Sequence, residues 1–306
     1  MQTTLAYDVT FNGTGLHTGA PATAVLRPAP SGTGIVFRRI DLPGALVELP
    51  ALWDRVIVSP LNTRLENPDG VTVSTIEHMM AALSGCGVSN AYVDLDGPEV
   101  PIMDGSASAF VRGIVDVGLS RLPAQQRAIE ILAPVHVTLG DARASLRPAT
   151  SLQIAFEIDF PDAAIGRQFK TLNMANGSFV RELCDSRTFC RAADVDAMRA
   201  QGKALGGTIE NAVVVDGADV LTPGGLRHHD EAVRHKMLDA LGDLYTAGAP
   251  ILGRYSGVRA GHSVTNALLR ALFATPTAWR WVTCDAGIAA RLPGVGVTRA
   301  DLPCVA

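Results

Sequence analysis

The chain has 306 residues, 47% of them hydrophobic and 18% charged, with a formal net charge of -4. So much apolar surface excludes a disordered chain, and the mixed signs exclude the basic stripe that nucleic acid requires. There is no basic start followed by an apolar run and no stretch of about 18 apolar residues, so a cytoplasmic protein without a membrane span is expected.

At about 150 residues per domain, this length predicts two domains. Short alternating stretches, Thr3 to Thr10, Ala22 to Leu26 and Gly34 to Arg38, each closed by Gly or Pro, predict a strand-rich start. From Ser74 the period changes. Ile76, Met79, Met80 and Leu83 fall at helical spacing, and the helix is expected to stop at Gly85. A strand over Tyr92 to Leu95 and a helix over Ser106 to Val117 follow. The polar stretch from Ser120 to Arg127 carries no periodicity and reads as a linker. Beyond it, strands are expected at Ile129 to Leu132, Val135 to Leu139, Leu152 to Phe160, Asn211 to Asp216 and Ile251 to Val258. Helices are expected near Ser178 to Cys184, Asp194 to Gln201, His229 to Tyr245 and Ser263 to Phe273. The five cysteines, Cys86, Cys184, Cys190, Cys284 and Cys304, form no C-x-x-C pair and read as reduced thiols.

Three segments can carry chemistry. On the helix around Met237, Val233, Met237, Ala240, Leu241 and Leu244 share one face, while His235, Asp239 and Asp243 share the other. Residues four apart on a helix are neighbours, so His235 and Asp239 can reach one metal ion, although the same spacing also suits a solvated face. Glu77 and His78 lie near the start of the earlier helix. Ser74 and Glu77 have the spacing of a capping box, and Glu77 can alternatively serve as a base beside a metal held by His78. His262 opens the last long helix. The Gly-rich run GTGLHTG (13–19) can bring backbone close to a ligand or form an ordinary turn.

In order along the chain, GTGLHTG (13–19), STIEHMMAAL (74–83), EVPIMDGSASAF (99–110), SRTF (186–189) and VRHKMLDALGDL (233–244) resemble the UDP-3-O-acyl-N-acetylglucosamine deacetylases, metal-dependent enzymes of lipid A synthesis. The resemblance implies an α+β protein: two α/β sandwich domains, 1–122 and 128–306, with helices packed between the sheets and the active site at the junction. An insert at about 190–210 would enclose the fatty acyl chain, with Val195 and Met198 as candidate lining. The implied reaction is hydrolysis of the N-acetyl group of UDP-3-O-[(3R)-3-hydroxyacyl]-N-acetylglucosamine, the committed step of that pathway.

Carried over residue by residue, the metal ligands are His78, His235 and Asp239, holding Zn(2+) or, at the same site, Fe(2+). Glu77 is the general base, Thr188 stabilises the oxyanion, and His262, oriented by Asp243, protonates the leaving amine. Lys236 and His17 would face the nucleotide phosphates, with Phe189, Leu61 and Gly207 as further substrate contacts. The expected partner is the small-molecule substrate alone, with the protein a monomer. Departures from the family pattern are His228 and His229, which could recruit a second metal, Arg64, which places a charge near the presumed substrate side, and Cys190, where glycine is more usual. The competing readings are a catalytically silent UDP-sugar or metal-binding relative and an amidohydrolase acting on an unacylated sugar.

Overall fold

The computed structural model describes residues 1–43, 46–59 and 61–303. Cys304 therefore lies outside the described residues, and Cys86, Cys184, Cys190 and Cys284 are free thiols. The architecture is mixed α and β, with several sheets and few helices. No helix is long and apolar enough to cross a membrane.

In the first half, a five-stranded sheet runs in the order Val9–Thr14, Pro21–Pro28, Ala91–Leu95, Ile35–Arg39, Val47–Pro50. Pro21–Pro28 alternates buried and partly exposed residues, the period-two pattern of a sheet with one covered face. Two helices cover it, α1 (Glu77–Gly85) and α2 (Ser108–Val117). In the second half, seven strands form a mixed sheet. Its path is Val135–Leu139, Ala142–Pro148, Ile251–Val258, Arg127–Ile131, Trp279–Thr283, and Gln153–Asp159 pairs both with Ile251–Val258 and with Arg167–Asn173. The remaining helices are α3 (Ser178–Glu182), α4 (Ala192–Ala200), α5 (Glu231–Tyr245), α6 (His262–Phe273) and α7 (Ala286–Ala289). α5 packs on the second sheet and also directly on α1, so helices of both halves meet between the sheets in one continuous apolar core.

The α1–α5 crossing is close because of one missing side chain. A Cβ on Gly242 would stand 2.0 Å from the Glu77 carbonyl oxygen, so only glycine lets the two helices approach this far. α1 itself begins later than its pattern suggests. Ser74 ends the strand Thr72–Ser74, and Thr75 takes a left-handed conformation (φ 60°) that redirects the chain into the helix. Glu77 is thus the first helical residue, and the expected Ser74–Glu77 capping box does not form. The stop falls at Gly85, where the pattern places it. Gly87, at φ 77°, closes a Schellman motif with Gly87 N–H donating to Ser84 O and Val88 N–H to Leu83 O. Gly85 is helical, and a Cβ there would lie 1.9 Å from the Phe179 ring.

The expected linker is partly ordered structure. Leu119–Arg121 pairs antiparallel with Thr3–Leu5, and Arg127 opens the strand Arg127–Ile131. The polar stretch lacks helical or strand periodicity because Leu119–Arg121 is exposed throughout, with no buried face to impose alternation.

Candidate active site

The crossing of α1 and α5 brings together residues far apart in sequence. His78 comes from α1, His235 and Asp239 from one face of α5, and all three are nearly inaccessible to solvent. The solvated-face reading of His235, Asp239 and Asp243 is therefore excluded, because the face opposite the apolar one is turned into the protein. Asp239 Oδ1 stands 3.3 Å from His235 Nε2 and 3.6 Å from His78 Nε2. Neither Asp239 Oδ1 nor His78 Nδ1 has a hydrogen-bond partner among the described residues. His235 Nδ1 faces Ser186 O at 3.0 Å, which fixes its proton there and leaves the Nε2 lone pair free. Burial pushes the His235 pKa down to about 4, so the ring is neutral, as a ligand must be.

One potential ligand atom from each of the three residues lies within 4.8 Å of the others, the single such group among the described residues. Ligands about 2.1 Å from a common zinc ion stand about 3.4 Å apart in a tetrahedron, close to the two spacings given above. The donor set therefore fits a divalent cation. Lys236 Nζ donates to Asp239 Oδ2 at 2.8 Å, and burial of the Asp239 carboxylate is outweighed by His235 and Lys236, which hold its pKa well below the usual range.

Two titratable groups flank this trio. His262, the first residue of α6, has Nδ1 2.9 Å from Asp243 Oδ2 and Nε2 3.8 Å from Glu77 Oε1. Burial opposes a charge on the ring, but the Asp243 and Glu77 carboxylates outweigh it and raise its pKa to about 9. Burial raises the Glu77 pKa, with His262 and His78 pulling the other way. A residue not singled out from sequence joins the two carboxylates. The Thr63 backbone N–H donates to Glu77 Oε2 at 3.0 Å and its hydroxyl donates to Asp243 Oδ1 at 2.5 Å. Only its proximity to Arg64 and Leu61 in LNTRL marked that segment in advance, and a threonine pattern carries no signal for such a bridge.

Two cavities open from this point. The cleft over the metal-ligand trio, about 410 Å³, is bordered by Glu77, His78, His235, Lys236, Asp239 and His262. A second, apolar chamber of about 260 Å³ is bordered by His17, Val195, Met198, Gly207, Ile209 and Val214. Thr188, Phe189 and Leu61 border both, at the neck. The Phe189 ring stands edge-on to His235, with centroids 6.2 Å apart. Thr188 is held in place by donating its N–H to Gly105 O at 2.7 Å, on a turn where a Cβ at Gly105 would collide with Asn211 O.

The GTGLHTG loop has a different job from an anion cradle. Its His17 and Thr18 N–H groups donate to the two oxygens of buried Glu99, at 2.9 and 2.8 Å, so an internal carboxylate fills the nest. The same Glu99 accepts from the Thr75 hydroxyl at 2.8 Å, tying the loop to the entrance of α1. Of the departures noted in the sequence, Arg64 borders neither cavity and donates to Thr72 Oγ1. His228 Nε2 is engaged by Asp185 at 2.9 and 3.0 Å, and the His229 side chain is 91% exposed. Cys190 borders both cavities.

The family model for UDP-3-O-acyl N-acetylglycosamine deacetylase matches residues 2–274. Among similar proteins, the UDP-3-O-acyl-N-acetylglucosamine deacetylase of Phenylobacterium zucineum is 52% identical over 279 residues, covering 91% of this chain and 95% of its own. That of Shewanella piezotolerans is 43% identical over 286 residues (93% of each chain), and that of Shewanella oneidensis 42% over 299 (96% of this chain, 97% of its own). The chain belongs to the UDP-3-O-acyl N-acetylglycosamine deacetylase family.

Proposed function

We propose that the protein hydrolyses the acetamide of UDP-3-O-[(3R)-3-hydroxyacyl]-N-acetylglucosamine, giving acetate and the free amine, the committed step of lipid A biosynthesis. The observation that carries the proposal is the His78, His235 and Asp239 trio with Glu77 and His262 beside it, at the neck of an apolar chamber. Zinc or ferrous iron suits two imidazoles and a carboxylate. Such a cation supplies Lewis acidity, polarising the acetamide carbonyl and acidifying water.

The chain's own residues then divide the proton transfers. Glu77 accepts a proton from the attacking water as the water oxygen bonds to the acetyl carbon, and burial makes this carboxylate a stronger base than one in solvent. Thr188 at the neck donates its hydroxyl to the oxygen that gains charge. His262, kept cationic by Asp243, gives its proton to the nitrogen as the C–N bond breaks. Cleavage leaves acetic acid and the amine; the acid's proton returns to His262 and the proton held by Glu77 passes to the amine, so that acetate and an ammonium depart with both groups restored. Thr63 keeps base and acid in register from behind. Lys236 borders the cleft where the phosphates of the nucleotide would pass, and its ammonium donates to Asp239 Oδ2.

The same reading divides the chain into residues 1–122 and 128–306, with the insert at about 190–210 forming one wall of the acyl chamber. It carries a cytoplasmic, monomeric protein. Two variants test the mechanism. His78→Ala is expected to lose stoichiometric metal, measured by elemental analysis. Glu77→Ala is expected to keep the metal while acetate release falls at least about 100-fold, the usual scale for a lost general base. A Glu77→Ala protein that holds metal and turns over normally refutes the role given to Glu77.

A further inference from the structure

His17 is 8% exposed, and its Nε2 has no hydrogen-bond partner among the described residues. The other ring nitrogen is spoken for. The Ala204 N–H donates to His17 Nδ1 at 3.3 Å, so Nδ1 presents a lone pair. Burial lowers the pKa of this imidazole, helped by nearby Lys203 and His262 against Glu99, and a neutral ring whose Nδ1 accepts must carry its proton on Nε2. The result is a buried, unpaired donor on the border of a mainly apolar chamber. Such a group is costly unless a ligand satisfies it.

Phosphate is a poor candidate for that ligand. The chamber lining is mainly apolar, its one charged side chain besides His17 is the solvent-exposed Arg199, the neutral His17 ring offers an anion no counter-charge, and the loop's backbone donors already hold Glu99. A neutral oxygen on an otherwise apolar chain meets the requirement. The position is informative too. His17 borders the chamber but not the metal cleft, whereas Thr188, Phe189 and Leu61 border both. A chain esterified to the sugar enters through that neck with its ester group at the cleft side, so the oxygen that reaches His17 lies a short way along the chain.

We propose that His17 Nε2–H donates to the hydroxyl on the third carbon of the acyl chain, making His17 the residue that distinguishes 3-hydroxyacyl from unsubstituted acyl substrates. The assignment rests on the deacetylase reading and names a specificity contact within it. The tether to Ala204, with Leu205 N–H donating to His17 O and Gly206 N–H to Leu16 O, fixes the ring relative to the insert that walls the chamber. Gly206 permits that approach, since a Cβ there would lie 2.3 Å from Gly15 O.

The test uses metal-loaded wild type, His17→Asn and His17→Gln with two substrates of equal chain length, one bearing the 3-hydroxyl and one lacking it. Asn places an acceptor near the Nδ1 position for Ala204 but nothing at Nε2, whereas the Gln amide reaches the Nε2 position with a donor. Wild type should favour the hydroxylated substrate about tenfold in kcat/KM, the worth of one hydrogen bond. The ratio should collapse to about one in His17→Asn and largely survive in His17→Gln. A wild-type ratio near one, or an equal loss on both substrates in His17→Asn with the ratio intact, overturns the proposal. Calorimetric binding of both substrates to metal-free protein reads the same preference without turnover. Hydroxyl-dependent binding without acetate release would sink the deacetylase reading and leave the His17 contact standing; loss of both would overturn both.

Discussion

His262 carries the sharpest electrostatic consequence at the scale of single residues. Its ring is buried against Asp243 and Glu77, and the carboxylates raise its pKa from 6.5 to about 9. Because the folded value is the higher one, this contribution to stability is complete below about pH 6.5 and is lost as pH rises towards 9. In the metal-free protein, the His262 imidazole should titrate near 9 by NMR, and Asp243→Asn should lower that value substantially. An unshifted His262 would remove the reason for calling it an acid at neutral pH. A cation bound at Asp239 moves the same titration to lower pH, so the alkaline fall of kcat/KM belongs at or below about 9. The residues with chemistry were legible in the sequence because imidazoles and carboxylates occur there in a specific order of motifs. Thr63 was not, because its contribution is a backbone N–H and a hydroxyl that any loop threonine possesses. His17 was visible only as a Gly-flanked histidine. Its neighbours Glu99 and Ala204, which give it its orientation, are distant in sequence.

At the scale of elements, α1 and α5 place the candidate metal ligands, and Gly242 sets the separation of the two helices. Gly242→Ala would put a methyl 2.0 Å from the Glu77 carbonyl oxygen, so the helices must part. A loss of ~1–3 kcal/mol in stability is expected from such overpacking, together with weaker metal binding, because Glu77 and His78 ride on the displaced helix. Thermal unfolding and metal titration check this, with Gly97→Ala, which meets nothing within 4 Å, as the control. An unchanged metal affinity would show that the crossing does not set the ligand geometry. The amphipathic helices and the alternating strand Gln153–Asp159 were readable because a half-buried face imposes a period. The start of α1 was not. Thr75 adopts an uncommon backbone conformation, held by Glu99 through a contact no local pattern encodes. Arg167–Asn173, alternating exposed and half-buried residues without an apolar run, likewise escaped notice.

At the scale of the whole molecule, the site exists only where the two halves meet. His78 and Glu77 come from the first half, His235, Asp239, Asp243 and His262 from the second, and the loop at 13–19 is stitched across to residues 204–206. The apolar chamber likewise needs both, His17 from one side and Val195, Met198 and Gly207 from the other. That division of labour explains why the motifs are spread from the N-terminus to His262, and why no single one of them defines the site. The most direct measurement is acetate release by protein carrying one equivalent of metal, from UDP-3-O-(3-hydroxyacyl)-N-acetylglucosamine and from UDP-N-acetylglucosamine without the acyl chain. The account predicts rapid release from the acylated sugar and at least about 100-fold less from the unacylated one, whose missing chain leaves the chamber's binding energy unused. Equal turnover of both sugars would contradict the role of the chamber, and no release from either with the metal in place would contradict the assignment as a deacetylase.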